Sequence, residues 1–472
     1  MIGREKEQSI LIESLESDQS EFVAVYGRRR VGKTFLVQET LGRSLLFRHA
    51  GIANSTQREQ LEHFRNSLVE AGMPPMRSPK TWLEAFQHLK TLVAGSNKKR
   101  KVLFIDELPW MDAHKSRFVP ALEGFWNGWA AARKDVVLVV CGSATSWIID
   151  KILRNRGGLH NRVTHSIRLD PFTLLECERF AESRRLALTR RQIAQLYMVL
   201  GGVPFYWRHL IKGLSPDQNI DRLFFEPGAE LKGEYETLFR SLFKRESPHV
   251  RIVESLARKG KGLTRNEILA ATGLADTGAF SKHLEELEQC GFIRRYDLPG
   301  RKVRGAIWQL IDNFTLFHHH FVAGRRGLDP AFWSRMAGAG ERHDWEGRAF
   351  ERLCLLHVAQ IRKALGISGV LTGVYAWRAE GRNGLRGAQI DLVLDRADGV
   401  ANLCEMKFCD GPFSVDRRYA ETLRNKRDLY RLDTGTRKAL HLTLVTSAGL
   451  RRNAYANDIQ SEATLDNLFA EL

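Results

Sequence analysis

The stretch Gly27-Arg28-Arg29-Arg30-Val31-Gly32-Lys33-Thr34 decides how the first half of this chain is read. Its spacing is GxxxxGK[ST]. An apolar run at 22–26 precedes it, and Phe35-Leu36-Val37 opens a helical pattern after it. Each position has a physical task. Glycines let the backbone turn so that its N–H groups converge on a phosphate, and the helix N-terminus adds partial positive charge. Lys33 is then placed for the β- and γ-phosphates of ATP, and the Thr34 hydroxyl for Mg²⁺. A chance Gly/Lys turn does not account for the strand before and the helix after.

Working outward, apolar runs alternate with helical patterns. The strand candidates are 22–26, 45–48, 102–105, 136–140 and 165–169, with helices such as 57–71 and 79–94 between them. That alternation predicts an α/β fold with a parallel sheet. The run 102–105 ends in Asp106-Glu107. The carboxyl end of a central strand lies beside the phosphate loop, so Asp106 is expected in the Mg²⁺ shell and Glu107 beside the attacking water. After the third apolar strand comes Cys141-Gly142-Ser143, where Ser143 is the candidate sensor of the γ-phosphate; an ordinary turn or N-cap serine is the alternative. Arg156 and Arg162 follow in a Gly-rich segment. Either is a candidate finger on the γ-phosphate, and a solvated surface arginine is the competing reading.

These segments occur in matching order with Gly3-Arg4-Glu5, Asp106-Glu107-Leu108-Pro109-Trp110 and Gly201-Gly202-Val203-Pro204. Together they resemble the archaeal-type AAA-like ATPases of the P-loop superfamily, which are related to the STAND NTPases. The resemblance implies that Gly3 and Arg4 lie by the adenine and that Arg162, before the last strand, is the finger. It also implies a helical lid at 201–204. A finger acting in trans would make the protein an oligomer. The resemblance covers the whole chain, because such proteins often add a winged helix and a C-terminal domain.

Composition bounds the rest. The chain has 472 residues, with 72 Lys+Arg against 55 Asp+Glu and a formal net charge of +17. Its 43% hydrophobic and 27% charged residues exclude a collagen-like, disulfide-scaffold or wholly disordered chain. The surplus of positive charge suits nucleic acid or another polyanion. The six cysteines form no CxxC pair and read as reduced core thiols. No signal pattern opens the chain, and no apolar run approaches the roughly 18–20 residues of a membrane span. The expected location is cytoplasmic. His318-His319-His320 cannot all face one metal from a regular element.

Length and pattern predict three domains: a P-loop ATPase with helical lid at 1–235, a winged helix at 236–325, and a third domain at 340–472. In the second, Thr264-Arg265-Asn266-Glu267 is a capping box. Helices are expected at 265–272, stopping at Gly273, and at 276–289. A β-hairpin turning at Pro299-Gly300 follows. Thr277, Ser281, Lys282 and His283, with Arg294, Arg295, Arg301, Lys302 and Arg304 on the wing, are the DNA-facing candidates. Glu285, Glu286 and Glu288 oppose phosphate binding.

The third domain opens with a helix near 344–364 and has a later one near 416–430. Between them, Gln389–x–Asp391 and Cys404-Glu405-Met406-Lys407 flank Ala397-Asp398-Gly399. A two-residue Asp-Gly turn would set Asp391 opposite Met406. A three-residue loop sets Asp391 opposite Glu405 and has Gly399 at the left-handed position. Two opposed carboxylates hold Mg²⁺, and Lys407 on the same face can stabilise charge on a phosphate. This resembles the PD-(D/E)xK, or restriction-endonuclease-like, α/β fold, with Ile390 where the motif has proline. That likeness implies a further acid from the first helix: Glu351, or failing that Glu346. The function expected is ATP hydrolysis coupled to a DNA-directed module with Mg²⁺-dependent cleavage. A STAND-like ATP switch and a DNA-binding transcriptional regulator are the alternatives.

Overall fold

The computed structural model describes residues 1–154, 157–243, 246–260, 262–296, 306–325 and 329–472. Arg156, the turn Pro299-Gly300, and Arg301, Lys302 and Arg304 of the wing lie outside the described residues. The chain forms two compact units. One is Met1–Pro171 with Ser241–Lys244, and the other is Phe172–Arg240 with Arg245–Leu472.

The first unit is built on five parallel strands: β1 (Glu21–Tyr26), β2 (Leu45–Ala50), β3 (Lys101–Asp106), β4 (Val136–Gly142) and β5 (His165–Arg168). Their order is β2-β3-β4-β1-β5. Helices cover both faces, so the central strands are apolar at nearly every position and not merely at alternate ones. Phe22, Ala24, Leu103, Ile105, Leu138 and Val140 face one core; Val23, Val25, Val102, Phe104, Val137 and Val139 face the other. A helix not expected from the sequence, Glu5–Glu16, precedes β1 and gives Leu11 to the second core.

In the second unit, the helices Leu174–Ser183, Arg190–Leu200 and Pro216–Phe224 come first. Between the last two of these lies the short helix Pro204–Trp207. Chain beyond it is held as a loop by Asn219, whose Oδ1 accepts from Ile211 N–H at 2.8 Å and whose Nδ2 donates to the carbonyl of Leu214 at 3.3 Å. Next come the helix Glu246–Lys259, β6 (Leu263–Thr264), the helices Arg265–Thr272 and Gly278–Gln289, then β7 (Ile293–Tyr296) and β8 (Ile307–Leu310). The three strands are antiparallel in the order β6-β8-β7. The capping box at Thr264 and Glu267 is formed, and Gly273 ends its helix.

The last strands are β9 (Thr372–Ala379), β10 (Ala388–Arg396), β11 (Val400–Lys407), β12 (Phe413–Ser414), β13 (Ala439–Thr446), β14 (Leu450–Arg451) and β15 (Ile459–Thr464). The main sheet runs β15-β13-β11-β10-β9, antiparallel from β9 to β11 and parallel from β11 to β15. The helix Arg417–Thr434 makes the crossover between the parallel pair β11 and β13.

The single helix expected near 344–364 is two, Gly340–Leu356 and Val358–Ala364, broken at His357. Burial holds that imidazole well below its usual value, at about 4, so it is neutral. Its Nδ1–H can then donate to the Leu353 carbonyl at 2.8 Å while Nε2 accepts from Leu174 N–H at 3.0 Å. One ring thus ties the first helix of the unit to the helix before the last sheet. At the other end of the helix Gly340–Leu356, Arg342 grips both carboxylate oxygens of Asp217 at 2.8 and 3.0 Å and lies over Trp333 at 4.5 Å.

The segment Gly201-Gly202-Val203-Pro204 is a backbone crossing. Gly201, at φ 60°, ends one helix and Pro204 opens the next. Phe172 N–H donates to the Gly202 carbonyl at 2.6 Å, so closely that a Cβ on Gly202 would stand 1.9 Å from the Phe172 carbonyl oxygen. Gly202→Ala is therefore expected to lower stability by about 1–3 kcal/mol or more, the range for overpacking a fixed site. A thermal midpoint equal to that of the unchanged protein would reject this account of the motif.

Candidate functional site

The phosphate loop connects β1 to the helix Lys33–Leu41. Gly27 has φ 138°, and a Cβ there would lie 2.2 Å from the Leu169 carbonyl oxygen, so the residue after β5 forms the floor of the loop. Arg30 and Gly32 also take positive φ, which turns the chain back toward the helix. Lys33 is buried, with its ammonium inside the turn donating to the carbonyls of Gly27 and Arg28 at 2.9 Å each. Arg28 is buried as well, while Arg29, Arg30 and Val31 complete the loop.

Asp106, the last residue of β3, receives the Thr34 hydroxyl on Oδ2 at 2.6 Å and the Glu107 N–H on Oδ1 at 2.8 Å. A hydroxyl and a carboxylate at that separation are hard oxygen donors of the kind Mg²⁺ takes. Glu107 has φ 49°, a left-handed turn that swings its side chain across the ends of the strands. There Oε1 receives the Ser143 hydroxyl at 2.7 Å and Oε2 the Ser143 N–H at 3.5 Å. Ser143, expected to face a phosphate, is thus also the residue that orients Glu107. That pairing was not legible in the sequence, because it depends on β3 and β4 being neighbours.

Arg4 is buried at φ 70° and donates to the Asp170 carbonyl at 2.6 Å, tying the start of the chain to the segment after β5. Gly3 precedes it, also at positive φ. Arg162 is exposed, in a turn closed by its own N–H onto the Leu159 carbonyl at 3.1 Å. Arg156 lies outside the described residues.

The second cluster is in the other unit. β10 and β11 pair with Leu392 opposite Cys404 and Asp395 opposite Ala401, the register of the three-residue loop. Carried one residue past the paired stretch, that register would set Asp391 opposite Glu405. Against β9, β10 slips by one residue between Ile390 and Val393, and Asp391 sits in that irregularity. Such a bulge re-aims a side chain. The helix Gly340–Leu356 packs along β11 and brings Glu351 to the same place. Burial first, then the negative charge of Asp391, pushes the Glu351 carboxyl up to about 7, and Glu405 adds to the effect. Glu346 is committed elsewhere, to Arg342 at 3.0 Å.

Two residues of the helix Arg417–Thr434 join the cluster without having been expected. Lys426 Nζ pairs with Glu405 Oε1, and the Tyr419 hydroxyl donates to Glu405 Oε2 at 3.3 Å. The Lys407 ammonium lies 5.0 Å from the Tyr419 ring centroid. Gln389 Nε2 donates to Asp391 Oδ1 at 2.6 Å. Tyr419 and Lys426 are seven apart, two turns of one helical face, but only the crossover decides which face meets β11. The three acids offer only oxygen donors, as a hard cation requires, and Lys426 already pairs with one of the Glu405 oxygens. Among the described residues, the oxygens of Glu351, Asp391 and Glu405 are not drawn within 4.8 Å of one another.

The acids expected to repel DNA from the helix Gly278–Gln289 each have a hydrogen-bond partner, and Glu285 remains exposed. Glu288 accepts from Arg295 N–H at 3.0 Å and Glu285 from Gln289 at 3.0 Å, while Glu286 pairs with His249 at 2.7 Å. Of the basic candidates, Arg294 donates to the Leu355 carbonyl at 2.8 Å and is spent on packing. The three adjacent histidines separate: His318 stacks on Tyr235, His319 bonds the Tyr235 hydroxyl at 2.9 Å, and His320 lies 3.8 Å from Glu341.

Residues 1–210 match a family described as an ATPase domain found predominantly in Archaea. An uncharacterized protein of Methanocaldococcus jannaschii is 21% identical over 442 residues, covering 91% of each chain. Among solved structures, a Walker-type ATPase of Pyrococcus abyssi is similar in fold. Its TM-score is 0.51 at 16% identity, over 68% of this chain and 96% of that one. The ORC2 protein of Aeropyrum pernix, in ADPNP–ADP complexes, aligns at TM-score 0.41 and 14% identity over 71% of this chain and 95% of its own. The protein is an ATPase with an α/β nucleotide-binding domain. Among the described residues, no helix is long and apolar enough to cross a membrane.

The raised Glu351 carboxyl has a measurable sign. A folded-state value of about 7 against an unfolded one near 4.5 means that the folded state holds the extra proton between them. Stability contributed by the neutral form is therefore present below about pH 4.5 and lost as pH rises through 7. Glu351→Gln keeps the neutral shape, so it is expected to flatten this part of the stability–pH curve and to raise the melting temperature at pH 8 relative to wild type. Parallel curves for the two proteins would show that Glu351 ionises normally and is not crowded by Asp391.

Proposed function

We propose that this ATPase couples ATP turnover to a nucleic-acid-directed module that cleaves phosphodiester bonds with Mg²⁺. The observation that carries the reading is the convergence of Glu351, Asp391, Glu405 and Lys407 at one place on a mixed sheet. Acids near enough for Asp391 and Glu405 to raise the Glu351 carboxyl make chemical sense when a divalent cation is to draw them in and neutralise them. In this reading the last domain is a restriction-endonuclease-like fold. Glu351, Asp391 and Glu405 hold Mg²⁺ there, and Lys407 contacts the scissile phosphate.

The module before it is a winged helix in the same proposal, and it presents the DNA-facing surface. Support comes from its element order, helix, strand, two helices and a β-hairpin, with the strand order β6-β8-β7. The net charge of +17 suits a nucleic-acid partner. Packing also favours coupling: the helices of 172–240, which the family resemblance makes the lid, are tied to the last domain through His357 and Arg342. A lid so tied carries the distal domain with it.

At the nucleotide, Gly27 to Thr34 cradle the phosphates, with Lys33 on the β- and γ-phosphates and Thr34 and Asp106 on Mg²⁺. Glu107 polarises the attacking water, held by Ser143, and Gly3 and Arg4 border the base. Arg162, exposed in its turn, is the finger, and in trans it requires an oligomer. A cytoplasmic location fits six free cysteines. Glu107→Gln should bind ATP with unchanged affinity and turn it over about 100-fold or more slowly, as loss of a general base does. Ser143→Ala should fall between that variant and wild type. Wild-type turnover by Glu107→Gln would remove Glu107 from this role.

One observation favours a second reading. Lys426 already pairs with Glu405, so a cationic group of the chain stands where a metal would draw charge. A STAND-like switch that binds without cutting would keep that pair. One assay separates the two: ATPase rate with and without DNA, with DNA and RNA integrity followed in Mg²⁺ and Mn²⁺. Cleavage that disappears in Asp391→Ala supports the nuclease. DNA-stimulated ATPase with intact nucleic acid, unchanged in Asp391→Ala, supports the switch.

A further inference from the structure

The helices Glu246–Lys259 and Gly278–Gln289 bring together three residues that neither the nucleotide site nor the acid cluster uses. His283 and Glu286 are three apart on the second helix and so share a face. His249, buried on the first helix, points at that face. Its Nε2 stands 2.7 Å from Glu286 Oε2, and His283 Nδ1 stands 3.6 Å from the same oxygen. The two imidazoles are 4.6 Å apart, tilted 68°. Their ligand atoms all lie within 4.8 Å of one another, and among the described residues this is the one His/Cys/Asp/Glu group that does so.

We propose that His249 Nε2, His283 Nδ1 and the Glu286 carboxylate form a site for one divalent transition-metal ion of the zinc class. Four ligands at about 2.0–2.1 Å from Zn²⁺ are separated from each other by about 3.3 Å. The observed separations straddle that value, so side-chain rotations suffice and the helices need not move. His283 Nδ1 is buried and makes no hydrogen bond, its distance to Glu286 being beyond reach of one. A buried imidazole nitrogen without a bond is costly, and a metal ion satisfies it. Two nitrogens and one oxygen select Zn²⁺, Co²⁺ or Ni²⁺ over the Mg²⁺ suited to the oxygen-only acid cluster. Three protein ligands leave a fourth position for water. Lys282 Nζ lies 4.0 Å from Glu286 Oε1 on the exposed side of the group. Metal here clamps the helix Glu246–Lys259 to Gly278–Gln289, the helix offered to DNA.

The test uses the full-length protein, freed of metal by chelation and titrated with Co²⁺, whose visible absorption reports four-coordinate geometry. One equivalent with four-coordinate absorption is expected, displaced by Zn²⁺, and Zn²⁺ should raise the melting temperature of the wild-type protein. His283→Gln and Glu286→Gln, which keep size and polarity, should each weaken Co²⁺ binding by more than about tenfold, since losing a ligand exceeds the effect of losing a ligand's support. Both should melt like the metal-free wild type, which separates lost ligation from lost folding. Asp391→Ala should keep the intense four-coordinate Co²⁺ absorption, because an oxygen-only cluster gives only the weak absorption of six-coordinate Co²⁺, which excludes that cluster as the source of the signal. The proposal is overturned if micromolar Co²⁺ and Zn²⁺ do not saturate the wild-type protein. Binding that survives both His283→Gln and Glu286→Gln overturns it equally.

Discussion

The hydrogen bond from Thr34 to Asp106 is the joint on which the first unit depends. A carboxylate can stand there because β3 is buried on both faces up to its last residue and has nowhere to place a charge until it ends. The helix Lys33–Leu41 opens at the same level, since β1 ends level with β3 in a parallel sheet. Everything else at the site hangs from these two ends. Glu107 follows Asp106 through a left-handed turn, and β4, lying between β3 and β1, delivers Ser143 to it. The floor under Gly27 comes from the residue after β5, so the outermost strand also bears on the loop.

In the second unit the governing constraint is electrostatic. Glu351 is placed by a helix whose other positions are chosen for packing, with Phe350 against Phe408 and Arg352 on backbone carbonyls. The helix cannot rotate to relieve the crowding of Glu351 by Asp391. Burial first and Asp391 second therefore raise the pH at which the carboxyl gives up its proton. Glu405 is relieved differently, by Lys426 and Tyr419 from the crossover helix. The two acids therefore meet like charge in opposite ways, one neutralised by a proton and the other by an ammonium.

The middle module corrects a habit of counting charges along a helix. Glu285, Glu286 and Glu288 look like a band that repels phosphate. Three different partners, a glutamine, a pair of histidines and a backbone N–H, take them up. Glu285 keeps its exposed charge, since a neutral amide bonds a carboxylate without neutralising it, whereas Glu286 is turned toward His249 on the neighbouring helix.

Much was legible from residue order alone, where the signal is local. The phosphate loop, the strands around it, the capping box at Thr264 and the stop at Gly273 each depend on neighbours a few positions away. The hairpin register belongs with them, because loop length fixes which residues of β10 and β11 oppose. What stayed hidden joins residues distant in sequence. The Ser143–Glu107 pair needs the order of strands, the break at His357 needs Leu174, and the pairing of Lys426 with Glu405 needs the crossover that sets one face of a helix on β11. The meeting of His249 with His283 and Glu286 likewise needs two helices laid side by side. Local periodicity tells a chain which face of an element is apolar. Only packing decides which polar residues that face then carries into contact, because hydrogen bonds and charge pairs act across a few ångströms of space whatever the distance along the chain.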